Sequence, residues 1–358
     1  MPGNGRKRVL HHNGAIAAVC FGMTMFRRIA AVVLCLMCAN ALAQDCTFDS
    51  PDLLLRPGEP GQPTEVLIRV YVVDITKILD VEQSFVTDVY FRAEWTDPRL
   101  VHDGPLPCQA RPDQVWTPQV QSLNRRTLDS TSPPQIRIAP DGSAFFVVRR
   151  FGEFSYEADL GDFPFDEQTL SFVIVSAYEP QEVVLRSDEA AVGMAERLSV
   201  VNWNLNFREA RSGALYVAPR DRTVARLDIE FSAKRLTGYY VWKLIVPLVL
   251  VVMMSWSVFW IAPVHVAPRL GLAATSMLTL IAYRFALASI LPPIAYMTRM
   301  DLFLVFASVL VFGALAVAVA VTYVADKGRD GLALRINEVA RWFSPLMFAA
   351  VIVFAFWF

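Results

Sequence analysis

The sequence predicts a mixed fold, in which an N-terminal antiparallel β-sandwich precedes a bundle of four transmembrane helices. Two observations lead to this prediction. Of the 358 residues, 54% are hydrophobic, which is more than an ordinary soluble protein of this length carries. The apolar residues are also unevenly placed, because residues 64–235 show short apolar-polar alternations, whereas four long apolar runs follow Tyr239.

The N-terminal segment has the features of a secretion signal. From Met25 it carries a basic pair, a short apolar core and a small-residue ending at Ala43. Because residues 1–24 do not fit ahead of such a signal, we expect them to be upstream mistranslation and residues 25–43 to be a signal peptide. A retained signal anchor is the alternative, and N-terminal sequencing of the purified protein distinguishes the two.

Cysteine usage fits export but leaves one pairing open. The chain has five cysteines, three of which precede the predicted cleavage site: Cys20, Cys35 and Cys38. In an oxidising compartment the remaining two, Cys46 and Cys108, can form a disulfide, but they can equally be free buried thiols.

The region from 44 to 235 is predicted to be one β-sandwich domain. Its strands are expected at residues 66–75, 84–95, 135–140, 143–151, 170–175, 200–207 and 223–233. Asp141-Gly142 supplies a hairpin turn between two of them. Many short strands without intervening helical patterns are typical of an antiparallel sandwich.

The region from 236 to 358 is predicted to be the transmembrane domain. Its apolar runs lie at about 239–262, 269–290, 301–324 and 337–358, and each is close to the roughly 20 residues that a spanning helix needs. If the sandwich is exported, the loop from Asp326 to Arg335 lies in the cytoplasm. Its basic residues agree with the positive-inside rule.

The second apolar run carries a seam of small and hydroxyl side chains. The residues on it follow at alternating steps of four and three and so share one helical face: Gly271, Thr275, Leu278, Ala282, Phe285 and Ser289. Such a seam suits a helix that lines a water-filled pathway, which requires several copies around an axis. A helix-bundle interface is the alternative.

Motifs for catalysis, cofactors and metals are absent from the sequence. No nucleophile elbow, phosphate-binding loop, dinucleotide fingerprint or zinc motif occurs, and the four histidines do not cluster with acids or cysteines. We therefore expect no enzyme, no cofactor and no metal. A net charge of −1 without a long basic tract also argues against nucleic acid as a partner.

Several motifs follow one another along the chain: DVYFRAEWTDPRL (88–100), VWTP (115–118), FPFDEQ (163–168), and Arg235 followed by Pro247. Together they resemble the motifs of the pentameric ligand-gated ion channels, the Cys-loop receptor superfamily. Tyr156 and Leu170 stand where the name-giving cysteines would be, which resembles the prokaryotic branch. The resemblance implies a homopentamer in the lipid of a bacterial inner membrane, with the sandwich in the periplasm.

This resemblance implies that five copies of the second helix line the pore, with a ring of Leu278 or Phe285 as the gate. The inner mouth contains Pro268 and Arg269 and no acid, as in the anion-selective glycine and GABA receptors, and Arg284 adds positive charge near the outer mouth. Chloride is therefore the favoured ion. A cation-selective channel remains open, as does an Arg269 that reaches lipid phosphates instead of the pore.

The resemblance also implies an agonist site between subunits. Tyr90 and Arg92 share one strand face and would supply its complementary side. The remaining residues of this site are Leu123, Ala177, Tyr178, Phe207 and Tyr216. An amine or amino acid is the expected agonist, with Arg92 on its carboxylate, unless Arg92 pairs with Glu94. Protons remain an alternative stimulus, with candidate titrating groups at Asp88, Glu153, Glu157 and Glu179.

Coupling between the two domains is the last expectation from the resemblance. The contact layer comprises Asp80, Pro164, Phe165, Asp166, Arg235, Pro292, Pro293 and Tyr296. One cation between two acids at a half-buried junction forms a hydrogen-bonded cluster, so loss of one partner leaves the others unpaired. A membrane-anchored receptor that does not conduct is the main rival function. A small transporter fits less well, because the chain lacks internal repeats.

Overall fold

The computed structural model describes residues 48, 50–128, 135–288 and 294–357. Its first part consists of strands and short 3₁₀ turns, and everything after residue 238 is helical apart from short connections. This arrangement confirms the predicted sandwich followed by four helices. The predicted signal peptide, Cys46, Ser289, Pro292 and Pro293 lie outside the described residues.

Twelve strands build the sandwich within the described ranges. They are β1 Thr64–Leu79, β2 Ser84–Thr96, β3 Cys108–Ala110, β4 Gln121–Ser122, β5 Arg125–Leu128, β6 Ile136–Ile138, β7 Ser143–Ser155, β8 Glu167–Val175, β9 Val183–Arg186, β10 Val192–Met194, β11 Trp203–Val217 and β12 Arg222–Arg235. The seven predicted strands are confirmed. The other five are too short to show an apolar-polar alternation, so the pattern could not reveal them.

The strands form two sheets. The larger sheet has the order β10-β1-β2-β7-β6-β3, with β5 also on β7 and β9 also on β1, and the smaller has the order β11-β12-β8-β4. The pairings are antiparallel except that β9 and β10 run parallel to β1. The purely antiparallel prediction is therefore wrong at this edge, where the chain crosses over from the smaller sheet after β8.

The core of the sandwich is aromatic. The rings of Phe85 and Phe154 pack against Phe172 of the opposite sheet, with centroids 5.5 Å and 5.0 Å away. The predicted hairpin at Asp141-Gly142 joins β6 to β7. Gly142 has φ +80°, and a Cβ there would lie 2.6 Å from a backbone oxygen of Asp97. Only glycine fits this turn without a shift of the backbone.

Four helices are long and apolar enough to cross a membrane: α1 Gly238–Trp260, α2 Val266–Ala288, α3 Arg299–Asp326 and α4 Asp330–Trp357. A π-helical turn in α1, Val241–Ile245, directly precedes the segment with Pro247, whose missing N–H disturbs the regular ladder. Thr298 and Asp301 form a capping box that begins α3.

The fourth helix begins earlier than predicted. The hydropathy of the chain placed its start at 337, but α4 starts at Asp330, so the predicted loop from Asp326 to Arg335 shrinks to three residues and Arg335 lies within the helix. Its first two turns contain charged residues, which lower hydropathy without preventing helix formation. A search for apolar runs finds the membrane span and misses such a polar extension.

Candidate functional site

The predicted seam is the exposed face of α2. Gly271, Thr275 and Ala282 are exposed, as are Leu278 at 68% and Phe285 at 76% of their surface. The opposite face packs inside the chain through Ala273, Ser276, Leu280 and Leu287. In a single chain, one side of α2 therefore presents large apolar side chains that nothing within the described residues covers.

Hydroxyl groups on α2 are satisfied by the helix itself. Thr275 Oγ1 donates to the carbonyl of Gly271 at 2.8 Å, and Thr279 Oγ1 donates to that of Thr275 at 2.8 Å. Because each hydroxyl uses its proton inside the helix, its oxygen lone pairs remain free to accept from water. The seam thus offers polar atoms without an unpaired donor.

Arg269, predicted for the inner mouth, is buried within the single chain. Its side chain has 0% exposure, and Nη1 donates to the carbonyl of Ile261 at 3.2 Å, while Nε and Nη2 have no partner among the residues that the structure describes. A turn of 100° per residue places position 269 about 200° from Gly271 and so on the packed side of α2. Pro268 and Arg284 are exposed, as expected.

The face that carries Tyr90 and Arg92 is formed, but its arginine is engaged. Arg92 Nη2 lies 3.0 Å from Glu94, and its guanidinium stacks 3.8 Å from the ring centroid of Phe145. The pairing with Glu94, which the sequence left open, is therefore the one observed. A ligand carboxylate would have to compete with Glu94 for this guanidinium.

Asp88 and Tyr90 share a second arginine. Arg149 binds both oxygens of Asp88, at 3.0 Å and 2.6 Å, and lies 5.4 Å from the ring centroid of Tyr90. The hydrogen bonds and charge of Asp88 raise the pKa of Arg149 above its usual range. Of the four candidate proton-titrating carboxylates, Asp88 is thus held in a bidentate ion pair.

The remaining residues predicted for the ligand site do not form one group. Tyr178 is partly buried, and its hydroxyl accepts from Trp116 Nε1 at 2.8 Å. Leu123 is exposed beyond β4, and Ala177 is half-buried. Tyr178 therefore has a structural partner within its own domain.

Phe207 and Tyr216, both predicted for the ligand site, lie far apart on β11. Strands β11 and β12 continue to a turn at Ala218–Arg220, beside which Tyr216 is exposed and donates to Asp221 at 2.8 Å. Phe207 packs against Phe231, with centroids 6.0 Å apart. Nine residues of extended strand place it roughly 30 Å from Tyr216, so both cannot belong to one aromatic box.

The structure brings the residues of the predicted charge cluster together at the domain junction. Buried Arg235 donates to Asp166 at 2.7 Å and 2.9 Å and to Asp80 at 2.9 Å and 3.0 Å, and it lies 4.1 Å from the ring centroid of Trp203. Burial by itself lowers the pKa of Arg235, but hydrogen bonds to Asp166 and Asp80 outweigh it and raise the pKa above its usual range. The cation is permanently charged and fully paired.

Two tyrosines of this cluster were not predicted. The Tyr156 hydroxyl donates to Asp80 at 3.1 Å, and Tyr240 at the start of α1 accepts from Arg235 at 3.0 Å. Tyr156 drew attention only as the residue in place of a cysteine. Burial, followed by the charge and hydrogen bond of Asp80, raises the pKa of Tyr156 well above its usual range.

The loop between β7 and β8 rests on the helices. The Tyr296 hydroxyl accepts from the backbone N–H of Leu160 at 3.0 Å, and Arg299 pairs with Asp162 at 2.7 Å. At the tip of the loop, Phe165 contacts Phe356 of α4, with centroids 5.6 Å apart, and Phe163-Pro164 is a cis peptide. The Arg299–Asp162 pair was missed, because neither residue belongs to a motif.

The structure also bears on the cysteines and on metal binding. Cys108 is disulfide-bonded, which decides against a free thiol at that position. Across the described parts of the chain, no three His, Cys, Asp or Glu side chains are grouped so that they could hold a metal ion.

Comparisons with known proteins agree with this architecture. The chain matches the family model of the neurotransmitter-gated ion-channel ligand binding domain over residues 44–231, and that of the neurotransmitter-gated ion-channel transmembrane region over residues 244–350. It is similar to gamma-aminobutyric acid receptor subunit beta-4 of Gallus gallus, at 29% identity over 286 residues, which is 76% of this chain and 58% of that protein.

Subunit alpha-4 of the gamma-aminobutyric acid receptor of Rattus norvegicus is similar to the same extent. The identity is 29% over 292 residues, which cover 78% of this chain and 52% of the relative. The chain thus spans only about half the length of the curated relatives it matches.

Proposed function

This chain belongs to the family of neurotransmitter-gated ion channels, which are not enzymes, and on that premise we propose a homopentameric channel that favours anions. The exposed face of α2 carries the proposal. Five copies around an axis would turn Leu278 and Phe285 toward one another and cover the side that each chain leaves open. A narrow apolar ring of this kind stops ions because it dewets, so either ring can serve as the gate.

Charge on α2 supports anion preference. The helix from Val266 to Ala288 contains two arginines and no acid, and its N-terminal segment resembles that of anion-selective receptors. Arg269 is buried with unpaired donors, so we propose that it acts on ions through its field rather than by contact. Exposed Arg284 adds charge near the outer mouth.

Current measurements on the purified protein in liposomes test this function. In a chloride gradient, we expect the reversal potential to follow chloride, whereas a potential that follows sodium or potassium would reject anion selectivity. Leu278→Ser should favour opening, because a hydroxyl rewets the ring. Ile281→Ser, on the flank of the seam and 40% exposed against 68% for Leu278, is the matched control and should leave the resting current unchanged.

An amino acid or small amine is the agonist we propose, at a site between the face of Tyr90 and Arg92 and the β11–β12 turn of a neighbouring subunit. The relatives are named as receptors for gamma-aminobutyric acid, a molecule with one amine and one carboxylate. A guanidinium such as that of Arg92 suits the carboxylate. Currents evoked by a panel of amines and amino acids test this, and a pH series separates it from gating by protons.

The setting we propose is a bacterial inner membrane, with the sandwich in the periplasm. The signal-like segment 25–43 and the loss of the loop cysteines at Tyr156 and Leu170 support it. The cluster of Arg235, Asp80 and Asp166 would then transmit agonist binding to α1 through Tyr240, since all four groups are joined by hydrogen bonds.

A further inference from the structure

Helix α1 contains a turn of π-helix near its start, Val241–Ile245. At the end of this turn the N–H of Val246 donates to the carbonyl of Val241, which is five residues earlier instead of four. Pro247 follows and has no N–H to donate. The backbone here therefore has fewer donors than carbonyls. Inside a membrane a neighbouring helix must supply the missing donor, because no water is present to do so.

Tyr283 of α2 supplies a donor to this turn. Its hydroxyl donates to the carbonyl of Leu244, a residue that is buried between the helices. The bond links α2 directly to α1. Helix α1 is in turn joined to the sandwich, because Tyr240, one turn before Leu244, accepts from Arg235 at 3.0 Å. The π-helical turn therefore lies between the charge cluster at the domain junction and α2.

The angle of Tyr283 around α2 sets the direction of this bond. A rotation of 100° per residue places Tyr283 about 20° from Ser276 and about 200° from Phe285. Ser276 is buried on the packed side of α2, whereas Phe285 is exposed on the seam. Tyr283 thus belongs to the packed side, opposite the seam. A bond from that side holds the C-terminal half of α2 against α1 and away from whatever the seam faces.

We propose that Tyr283 is a positioning residue, whose bond to the π-helical turn of α1 holds the C-terminal half of α2 back from the pore axis. The inference rests on the proposed function, since only a ring of subunits has such an axis. Loss of the bond would release this half of α2 toward the axis, where the Phe285 side chains of five subunits would narrow the ring. Tyr283 therefore favours the open pore and passes movement at the domain junction to α2 through α1.

The first test measures channel opening without an agonist. Tyr283→Phe removes the hydroxyl and keeps the ring, and Leu278→Ser is the background expected to open at rest. In liposomes we expect Tyr283→Phe to lower the open probability of this background about 5-fold, the factor for loss of one ordinary hydrogen bond, with an unchanged reversal potential. Tyr323→Phe is the matched control, because Tyr323 is exposed on α3 and contacts Lys327 through its ring. An open probability equal to that of Leu278→Ser alone overturns the proposal.

The second test measures the same contact without conduction, by melting the purified full-length protein in detergent. Tyr283→Phe should lower the melting temperature by about 2 °C, and Tyr323→Phe should not. Tyr240→Phe removes the bond to Arg235 at the other end of the π-helical turn. If the turn joins the two contacts, the double variant should lose less than the sum of the two single losses. Additive losses overturn the proposal.

The two measurements separate a failure of this proposal from a failure of the proposed function. If Leu278→Ser carries no current, the channel function or its gate is wrong, and the melting cycle alone decides whether Tyr283 and Tyr240 are coupled through α1. If currents flow and Tyr283→Phe lowers the yield of folded protein without changing the open probability of each channel, Tyr283 is a structural contact only, and its positioning role is rejected.

Discussion

Arg235 joins two acids, an indole and a tyrosine at the junction between the sandwich and α1. Its guanidinium donates to both carboxylates, and these hydrogen bonds raise the pKa of Arg235, so Arg235 itself stays protonated. We expect Arg235→Ala to lower the free energy of unfolding by roughly 3–5 kcal/mol, because Asp80 and Asp166 lose their buried partner.

Thermal melting and size-exclusion chromatography measure this effect. Arg208→Ala is the matched control, because Arg208 belongs to the same sheet but is exposed. Its ion pair with Glu209 is long, at 4.0 Å, and such surface pairs contribute little to stability. An Arg235→Ala protein that assembles normally and has the melting temperature of the wild type would contradict the assignment of Arg235 to the centre of this junction.

Tyr156 makes the junction sensitive to alkali. Its pKa is raised by burial and by Asp80, so the folded state favours the neutral phenol. That contribution is complete below the unfolded pKa of about 10 and is lost as pH rises beyond it. We expect Tyr156→Phe to be less stable than wild type at neutral pH, by about 1 kcal/mol for one hydrogen bond, and to lose less stability above pH ~10.

Melting curves from pH 7 to pH 11 measure this difference. Tyr71→Phe is the control, because Tyr71 is exposed on the larger sheet. Parallel pH profiles for Tyr156→Phe and wild type would show that the phenol does not contribute.

At the scale of single residues, the sequence predicted a contact correctly where a motif identified both the residue and its partner. The contact of Arg235 with Asp166 was predicted from FPFDEQ and the start of the first helix. Tyr156 was not assigned a role, because a tyrosine in place of a cysteine has no motif of its own. The burial of Arg269 was not foreseen, because its assignment to the inner mouth came from the resemblance and did not consider its angle around α2.

The helices show how a local defect is compensated. Pro345 lies inside α4 and has no N–H to donate to the carbonyl of Arg341 one turn earlier. Trp256 of α1 donates its indole N–H to that carbonyl at 2.8 Å. In a membrane no water replaces a lost partner, so this bond satisfies the one backbone acceptor that the proline leaves open.

We expect Trp256→Phe to lower stability by about 1–2 kcal/mol, since the carbonyl of Arg341 loses its donor. In a Pro345→Ala background the same change should cost less, because the alanine N–H can bond to this carbonyl within the helix. A double-mutant cycle from melting in detergent gives the coupling, with Trp342→Phe, at an exposed position on α4, as the control. Additive effects would show that the indole does not compensate for Pro345.

Strands and helices could be predicted from the sequence where their apolar pattern extended over many residues. The strands β1, β2 and β7 and all four helices followed from alternation and hydropathy, whereas β9 and β10, with four and three residues, did not. Phe207 was grouped with Tyr216 in one ligand site because the sequence has no signal for where β11 ends. The actual turn is set by the long antiparallel register between Trp203 and Val217 and their partners.

At the scale of the whole molecule, the single chain completes some contacts and leaves one helix face open. The sandwich and the helices are linked within one chain by the Arg235 cluster and by Arg299 with Asp162. The seam of α2, in contrast, is not covered by any of the residues that the structure describes. Sequence periodicity predicted this face correctly, but could not tell a pore from a bundle interface, because both use small and hydroxyl residues.

Arg284 provides a test at the scale of the assembly. If Phe285 faces the axis, a turn of 100° directs Arg284 toward the neighbouring subunit, and its exposed side chain can still reach the outer water. In the proposed pentamer, five such charges would concentrate anions at the outer mouth. Salt would weaken this effect, because the Debye length falls from about 30 Å at 0.01 M to about 10 Å at 0.1 M.

Arg284→Glu should therefore lower single-channel anion conductance, and it should do so more at low salt than at high salt. Arg186→Glu, with the same charge change at an exposed position of β9, is the control and should leave conductance unchanged. The salt dependence separates a field effect from damage to the pore, because a distorted pore conducts less at every ionic strength. If conductance and reversal potential of Arg284→Glu equal those of wild type at low salt, Arg284 is an interfacial anchor and the charge of this mouth does not select the ion.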